Sequence, residues 1–253
     1  MIAPDSIKRL TLVLTSECNL RCDYCFENDK KSGRMDWATL RSAIDLGLRT
    51  RQPAIEFSFF GGEPLLEFDL LRRAVLYAES RRSASKQVSY GIITNGTLLS
   101  PERASFLARH EFRTLLSFDG VPAAQELRGK GTFEKLDRTL DHLRAQHSAF
   151  HDSLSVSITA TPDTVRYLAE SVAYFLRKRI RDINMSPIIT HAAEWTVERI
   201  REIDEQFARI TDMALDEYRA TGETSIGNLL GGETGGGSCE KCDSTMCGVM
   251  RGE

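Results

Sequence analysis

Apolar and polar residues recur along this chain with two alternating periods. Extended runs rich in β-branched and aromatic residues occupy 7–14, 54–60, 87–94, 112–118, 154–160 and 182–189. After each, apolar residues return every three or four positions, the spacing of an amphipathic helix. The run Leu-Ser-Val-Ser-Ile-Thr-Ala at 154–160 alternates small polar with apolar residues. That pattern suits a parallel strand with one face lining a cavity and the other covered by helices. Six such βα units predict a curved parallel sheet or an open barrel. Helix starts are expected at Ser100-Pro101-Glu102 and Thr161-Pro162-Asp163, where a capping hydroxyl precedes proline and an acid. Asp36 and Thr132 are two further expected caps, and a long amphipathic helix is expected over 196–220, with its charged residues on a wet face. In sheets of this kind ligands gather at the carboxyl ends of the strands, so chemistry is expected in the loops there.

Composition narrows the classes. The 253 residues, 41% of them apolar, suffice for a full core in one large α/β domain or a domain with an appendage. The 33 basic and 36 acidic residues give a net charge of -3 and are spread evenly, which argues against a nucleic-acid partner and against an acidic tail. No apolar run approaches the roughly 20 residues of a membrane span, and the start lacks the charged and apolar regions of a signal peptide. The expectation is a cytoplasmic protein without membrane contact. Six cysteines clustered towards the two ends with short spacings fit metal ligation in a reducing compartment better than a disulfide framework.

The loop after the first run reads Ser-Glu-Cys-Asn-Leu-Arg-Cys-Asp-Tyr-Cys-Phe-Glu over 16–27 and places Cys18, Cys22 and Cys25 within eight residues. A structural zinc site wants four protein ligands, and this loop supplies three. Three thiolates also suit a cuboidal cluster of four irons in which one iron stays open to an exogenous ligand. The second run ends in Phe59-Phe60-Gly61-Gly62-Glu63-Pro64. Its two glycines let backbone groups approach a small ligand with no Cβ in the way, and Glu63 offers a carboxylate to an ammonium group. In isolation the tetrapeptide from Gly61 to Pro64 also reads as an ordinary strand-to-helix turn.

Taken together these residues resemble the radical S-adenosylmethionine (radical SAM) superfamily, whose signature Cys-x3-Cys-x-aromatic-Cys follows the first barrel strand; Tyr24 fills the aromatic position. The resemblance implies a partial (β/α)6 TIM-like barrel over 1–222. It also implies a 4Fe-4S cluster on Cys18, Cys22 and Cys25, with S-adenosyl-L-methionine (SAM) chelating the open iron. Gly61, Gly62, Glu63 and Pro64 correspond to the motif that binds the methionine amino group. The pattern continues with Thr94-Asn95-Gly96-Thr97, which brings Asn95 to the cofactor, and Ser117-Phe118-Asp119-Gly120, whose serine helps bind SAM. Arg128 matches an arginine that pairs with the SAM carboxylate, although the His-Asp usually preceding it is replaced by Gln125-Glu126. A surface arginine in a glycine loop is the other reading. Thr159 and Met185 are placed by position for the ribose and adenine, with strand packing as the alternative.

The chemistry implied is reductive cleavage of SAM to a deoxyadenosyl radical that removes a hydrogen atom from substrate, with electrons from a flavodoxin or ferredoxin. The cofactor performs the hard step and no side-chain acid or base is required. At the carboxyl end, a glycine-rich connector at 231–237 leads to Cys239, Cys242 and Cys247. Spare thiols are one reading. The run Cys247-Gly248-Val249-Met250-Arg251-Gly252 also resembles the opening of the SPASM/twitch extension, which holds auxiliary iron-sulfur clusters, and 223–253 is expected to be the start of such a module, cut short. SPASM-type members mostly modify peptides or proteins, so a peptide or protein substrate is expected. A small-molecule dehydrogenase or mutase and a non-enzymatic zinc or iron-sulfur module are the alternatives. No separate peptide-recognition domain is expected before the first strand. His147 and His151 lack the glutamate of a zinc-protease motif and read as solvated; no phosphate-binding glycine loop occurs.

Overall fold

Alternation along each strand decides which side of the sheet is packed. In a computed structural model, which describes residues 6–25, 33–188 and 194–227, Val156, Ile158 and Ala160 of one strand are buried while the intervening Ser155, Ser157 and Thr159 are half-buried on the opposite face. Six strands, most of them alternating in this way, form one sheet in chain order: β1 (Arg9–Thr15), β2 (Ala54–Gly61), β3 (Gln87–Thr94), β4 (Arg113–Ser117), β5 (Ser155–Ala160) and β6 (Asp182–Pro187). Each agrees with its expected run to within two residues at either end. Every neighbouring pair is parallel. Parallel neighbours need a crossover, and helices supply it: α1 (Trp37–Leu48), α2 (Phe68–Arg81), α3 (Pro101–Arg109), α4 (Pro122–Gln125), α5 (Phe133–Gln146), α6 (Ser148–Asp152) and α7 (Leu168–Arg177), with α8 (Val197–Thr221) after β6. The result is a partial (β/α)6 barrel with an apolar core between sheet and helices and an open concave face. Within that core Phe112 stacks on Phe59 and Tyr90, with ring centroids 6.0 and 5.4 Å away. No helix among the described residues is long and apolar enough to cross a membrane.

Helix starts follow side-chain capping where the cap has no rival partner. Asp36 accepts from Thr39 N at 2.7 Å, Ser100 from Arg103 N at 3.3 Å and Thr196 from Arg199 N at 3.3 Å. Two expected caps are corrected. Thr161 accepts from Thr164 N in a local turn of its own, and α7 begins only at Leu168, after a 3-10 turn over Val165–Tyr167. Thr132 stands at the start of α5, but its hydroxyl donates to Gly129 O at 2.6 Å and accepts from Gln125 Nε2 at 2.9 Å, so it caps nothing. His151, expected to be solvated, is 1% exposed in α6, where the amphipathic pattern turns it inward.

The expected boundary at 222/223 falls inside packed structure. After α8 the chain returns to the sheet: Ser225 O accepts from Ile183 N at 2.8 Å, and Ile226 forms a parallel bridge with Ile183 and is fully buried. Glu217 fixes this return by accepting from Ser225 N at 2.8 Å and from Ser225 Oγ at 2.6 Å. Residues 224–227 therefore belong to the barrel, and the rest of the expected extension, with its connector and Cys239, Cys242 and Cys247, lies outside the described residues.

Candidate functional site

The cysteine loop leaves β1 at the carboxyl end of the sheet and is pinned where it begins and ends. Ser16 N donates to Gly33 O at 2.9 Å and Gly33 N to Ser16 Oγ at 2.9 Å, while Thr15 and Arg34 form an antiparallel bridge. Cys18, Cys22 and Cys25 are free thiols, each half-buried. Burial pushes the Cys22 thiol up to about 11 against the opposing pull of Arg128.

The end of β2 forms the floor beneath this loop. The β1–β2 register slips between Val13 and Thr15, which pairs Thr15 with Gly61. Gly62 N then donates to Thr15 O at 2.9 Å and Glu63 N to Glu17 O at 2.8 Å. Such an approach tolerates no side chain. Gly61 has φ +140°, and a Cβ there would meet Thr15 O at 2.1 Å; a Cβ on Gly62 would meet Glu17 O at 2.2 Å. Both obstacles are backbone atoms already committed to the turn. Gly62→Ala is therefore expected to cost about 1–3 kcal/mol in urea denaturation, the range for forcing extra volume into packed structure. A variant within about 0.5 kcal/mol of the parent would mean that the loop slides freely over the turn.

Two hydrogen-bonded clamps hold the loop from either side. In the first, Glu63 is fully buried and accepts from Leu65 N at 3.0 Å and Thr94 Oγ1 at 2.7 Å on one oxygen, and from Asn95 N at 2.8 Å on the other. Burial pushes its pKa above the usual carboxylate range, and the donors from Asn95, Thr94 and Leu65 pull it back. With no exposed surface, Glu63 fixes the turn at Pro64 and the strand end at Thr94 and Asn95. Asn95 in turn places its Nδ2 3.7 Å from Cys18 Sγ and 3.0 Å from Asn19 Oδ1.

The second clamp centres on Asp119, which is 1% exposed. Its carboxylate accepts from the Tyr24 hydroxyl, from Arg128 Nε at 3.1 Å and Nη2 at 2.7 Å, and from Thr159 N at 2.8 Å. Gln125 holds the same residue from behind, its Oε1 accepting from Asp119 N at 2.9 Å. The Arg128 guanidinium lies over the Tyr24 ring, 5.3 Å from its centroid, and Nη2 also donates to Thr159 Oγ1 at 3.3 Å. Burial works against the charge on Arg128, but Asp119, Tyr24 and Cys22 together outweigh it and the pKa is raised; for Tyr24 burial itself is the main cause of a raised pKa. Asp23 N donates to Leu127 O at 3.0 Å and closes the clamp on the loop.

The expected site residues thus fall into place unevenly. Cys18, Gly61, Gly62, Glu63, Pro64 and Asn95 gather on one side of the loop, and Tyr24, Arg128 and Thr159 on the other. Arg128 is 7% exposed and ion-paired, not a surface residue. Ser117 ends β4 on the concave face, in register with Ser157 of β5. Met185 is corrected: the pleat of β6 turns it with Ile183 into the packed core, 3% exposed, and leaves Asn184 and Ser186 on the open side. Asp119, Gln125, Asn19 and Thr97 were not assigned roles from sequence. The signal for Gln125 was its departure from the family's His-Asp. A groove of about 620 Å³ lined by Trp37, Arg41, Arg73 and Tyr77 lies apart from all of these, between α1 and α2.

The donor set fits an iron-sulfur cluster. Cys18 Sγ receives two N–H groups, from Asn95 and from Leu20 N at 3.4 Å, the kind of outer contact that orients a ligating sulfur. Among the described residues no three Cys, His or carboxylate groups converge on a single ion, and a cluster with one iron per thiolate does not require that.

Three comparisons bear on this site. The sequence model of the radical SAM superfamily matches residues 12–172, over half of the chain. The uncharacterised protein MJ0907 of Methanocaldococcus jannaschii is 31% identical over 186 residues, covering 71% of this chain and 62% of that protein. A cysteine-type anaerobic sulfatase-maturating enzyme of Clostridium novyi is 25% identical over 197 residues, covering 73% and 52%. The chain therefore spans between half and two thirds of the length of these relatives. Among solved structures, native anSMEcpe with bound AdoMet and Kp18Cys peptide superposes with a TM-score of 0.75 at 22% identity, over 88% of this chain and 65% of that one, which shows a shared fold.

Proposed function

Because the chain belongs to the radical SAM superfamily, we propose that it binds a 4Fe-4S cluster through Cys18, Cys22 and Cys25, cleaves SAM reductively, and acts on a peptide or protein substrate. The observation that carries this reading is the seating of a three-thiol loop on the Gly61–Gly62 turn at the carboxyl end of the sheet. Held by Cys18, Cys22 and Cys25, the cluster would supply the electron for reductive cleavage of SAM and, through it, the radical chemistry that removes a hydrogen atom from the substrate. The chain's own residues bind and orient. Backbone groups of Gly61 and Gly62 would take up the methionine amino group. Ser117 and Arg128 would answer its carboxylate; Nη1 of Arg128, which has no partner among the described residues, is the nitrogen available for it. Thr159 lines the concave face beside them.

Support for a peptide substrate comes from relatives: one is a sulfatase-maturating enzyme by name, and anSMEcpe carries a bound peptide. A second reading, action on a small-molecule cofactor, draws on a relative in Pyrococcus furiosus named as a tungsten-containing aldehyde ferredoxin oxidoreductase cofactor-modifying protein, 26% identical over 211 residues, covering 78% of this chain and 55% of that protein. Cys239, Cys242 and Cys247 are proposed to hold an auxiliary cluster serving the substrate, dispensable for cleavage of SAM alone. The test is anaerobic reconstitution followed by dithionite. A brown protein that releases deoxyadenosine and methionine is expected, and a colourless one with stoichiometric zinc would refute the reading. The triple alanine variant at the three distal cysteines should hold less iron and still release deoxyadenosine; an unchanged iron content removes the auxiliary cluster.

A further inference from the structure

We infer that Asn95 sets the reduction potential of the cluster by donating an N–H to Cys18 Sγ, with Asn19 and Thr97 as positioning residues. This rests on the reading above that Cys18 is a cluster ligand. The orientation of the amide follows from a ring in which each proton has one place to go. Thr97 N, which can only donate, gives its hydrogen to Asn95 Oδ1 at 3.0 Å. That oxygen is thereby an acceptor, and Nδ2 must be the atom facing the sulfur. Asn19 Nδ2 donates to Thr97 Oγ1 at 2.8 Å, so the threonine hydroxyl passes its own hydrogen to Asn95 Oδ1 at 2.6 Å. Of the two hydrogens on Asn95 Nδ2, one goes to Asn19 Oδ1 at 3.0 Å and the other to Cys18 Sγ at 3.7 Å. The backbone of Asn95 is held by buried Glu63, which removes the remaining freedom to swing away.

This arrangement singles out one thiolate of three. Cys18 Sγ takes the Asn95 amide and the Leu20 backbone N–H, whereas among the described residues the sulfurs of Cys22 and Cys25 accept no hydrogen bond. An N–H on a ligating sulfur draws charge from it. The reduced cluster carries one more electron than the oxidised one and gains more from that withdrawal, so such bonds raise the potential. Because the Leu20 donor is backbone and survives substitution, variants at 95 isolate the amide alone.

The experiment is a redox titration of the reconstituted full chain, followed by the EPR signal of the reduced cluster, in the parent, Asn95→Leu and Thr97→Val. Both midpoints should move to more negative potential, and further for Asn95→Leu, because Thr97→Val keeps the amide but frees its orientation. A purely structural ring would lower cluster occupancy and leave the midpoint of the assembled clusters where it was, and that result overturns the inference. Should a variant fail to assemble, the parent decides: with asparagine labelled by 15N at the side-chain amide, its reduced cluster should show a weak 15N hyperfine coupling. Absence of that coupling also overturns it. A parent without any iron-sulfur cluster would defeat the functional reading and this inference together, whereas an intact cluster with an unmoved midpoint would defeat this inference alone.

Discussion

Asp119→Ala is expected to destabilise the protein by about 3–5 kcal/mol, the cost of removing one partner of a buried ion pair. The magnitude follows from what is left behind. Arg128, 7% exposed, would keep its guanidinium between the Tyr24 ring and β5 with no carboxylate to answer it, and the Tyr24 hydroxyl and Thr159 N would lose their acceptor. A buried charge without a partner is far costlier than a buried pair. Urea denaturation of the apo protein under reducing conditions reads the loss directly. The double variant Asp119→Leu, Arg128→Met should recover much of it, since apolar replacement of a whole pair is often close to neutral. A cost below about 1 kcal/mol for the single variant would place the pair among solvated ion pairs and remove the reason for treating it as a clamp on the cysteine loop.

Replacing any one of Cys18, Cys22 and Cys25 by serine is expected to abolish both the brown chromophore assigned to this site and the release of deoxyadenosine. A site with three protein ligands for four irons has none to spare. The polypeptide itself should survive, because the thiols are half-buried and the loop is held by Ser16–Gly33, Asn95 and Asp119 rather than by sulfur. Unchanged far-UV circular dichroism in the apo variants separates loss of ligand from loss of fold. Full iron and undiminished cleavage in Cys25→Ser would show that the third ligand comes from elsewhere.

The strands were legible because each presents one side to helices and the other to the concave face, a difference written most plainly in β5, where apolar residues alternate with serine or threonine. The cysteine loop was legible for a different reason, since three thiols at that spacing have few uses. What could not be read was competition between partners. Thr132 has the residue type and place of a cap, but Gln125 claims its hydroxyl across a loop. Glu63 has a charge that suggests a ligand, yet three donors from its own chain surround it. Met185 sits in the right strand on the wrong face, and one residue of register decides that. Asp119 and Gln125 were visible as letters, but their meaning lies in contacts to Tyr24, Arg128 and Thr132 that no local pattern encodes.

The return of the chain to β6 bears on how the barrel can be cut free from whatever is joined to it. A fragment ending at Gly222, where α8 terminates, would look complete by helix count. It would nonetheless lack Ser225 O as acceptor for Ile183 N and would uncover the seat of Ile226. A strand with an open hydrogen-bonding edge beside an apolar slot invites another chain to fill both, which is how sheets become sticky. The smallest piece that can be handled as a soluble unit therefore extends through residue 227 and retains Glu217, whose carboxylate holds the last turn of backbone against the sheet.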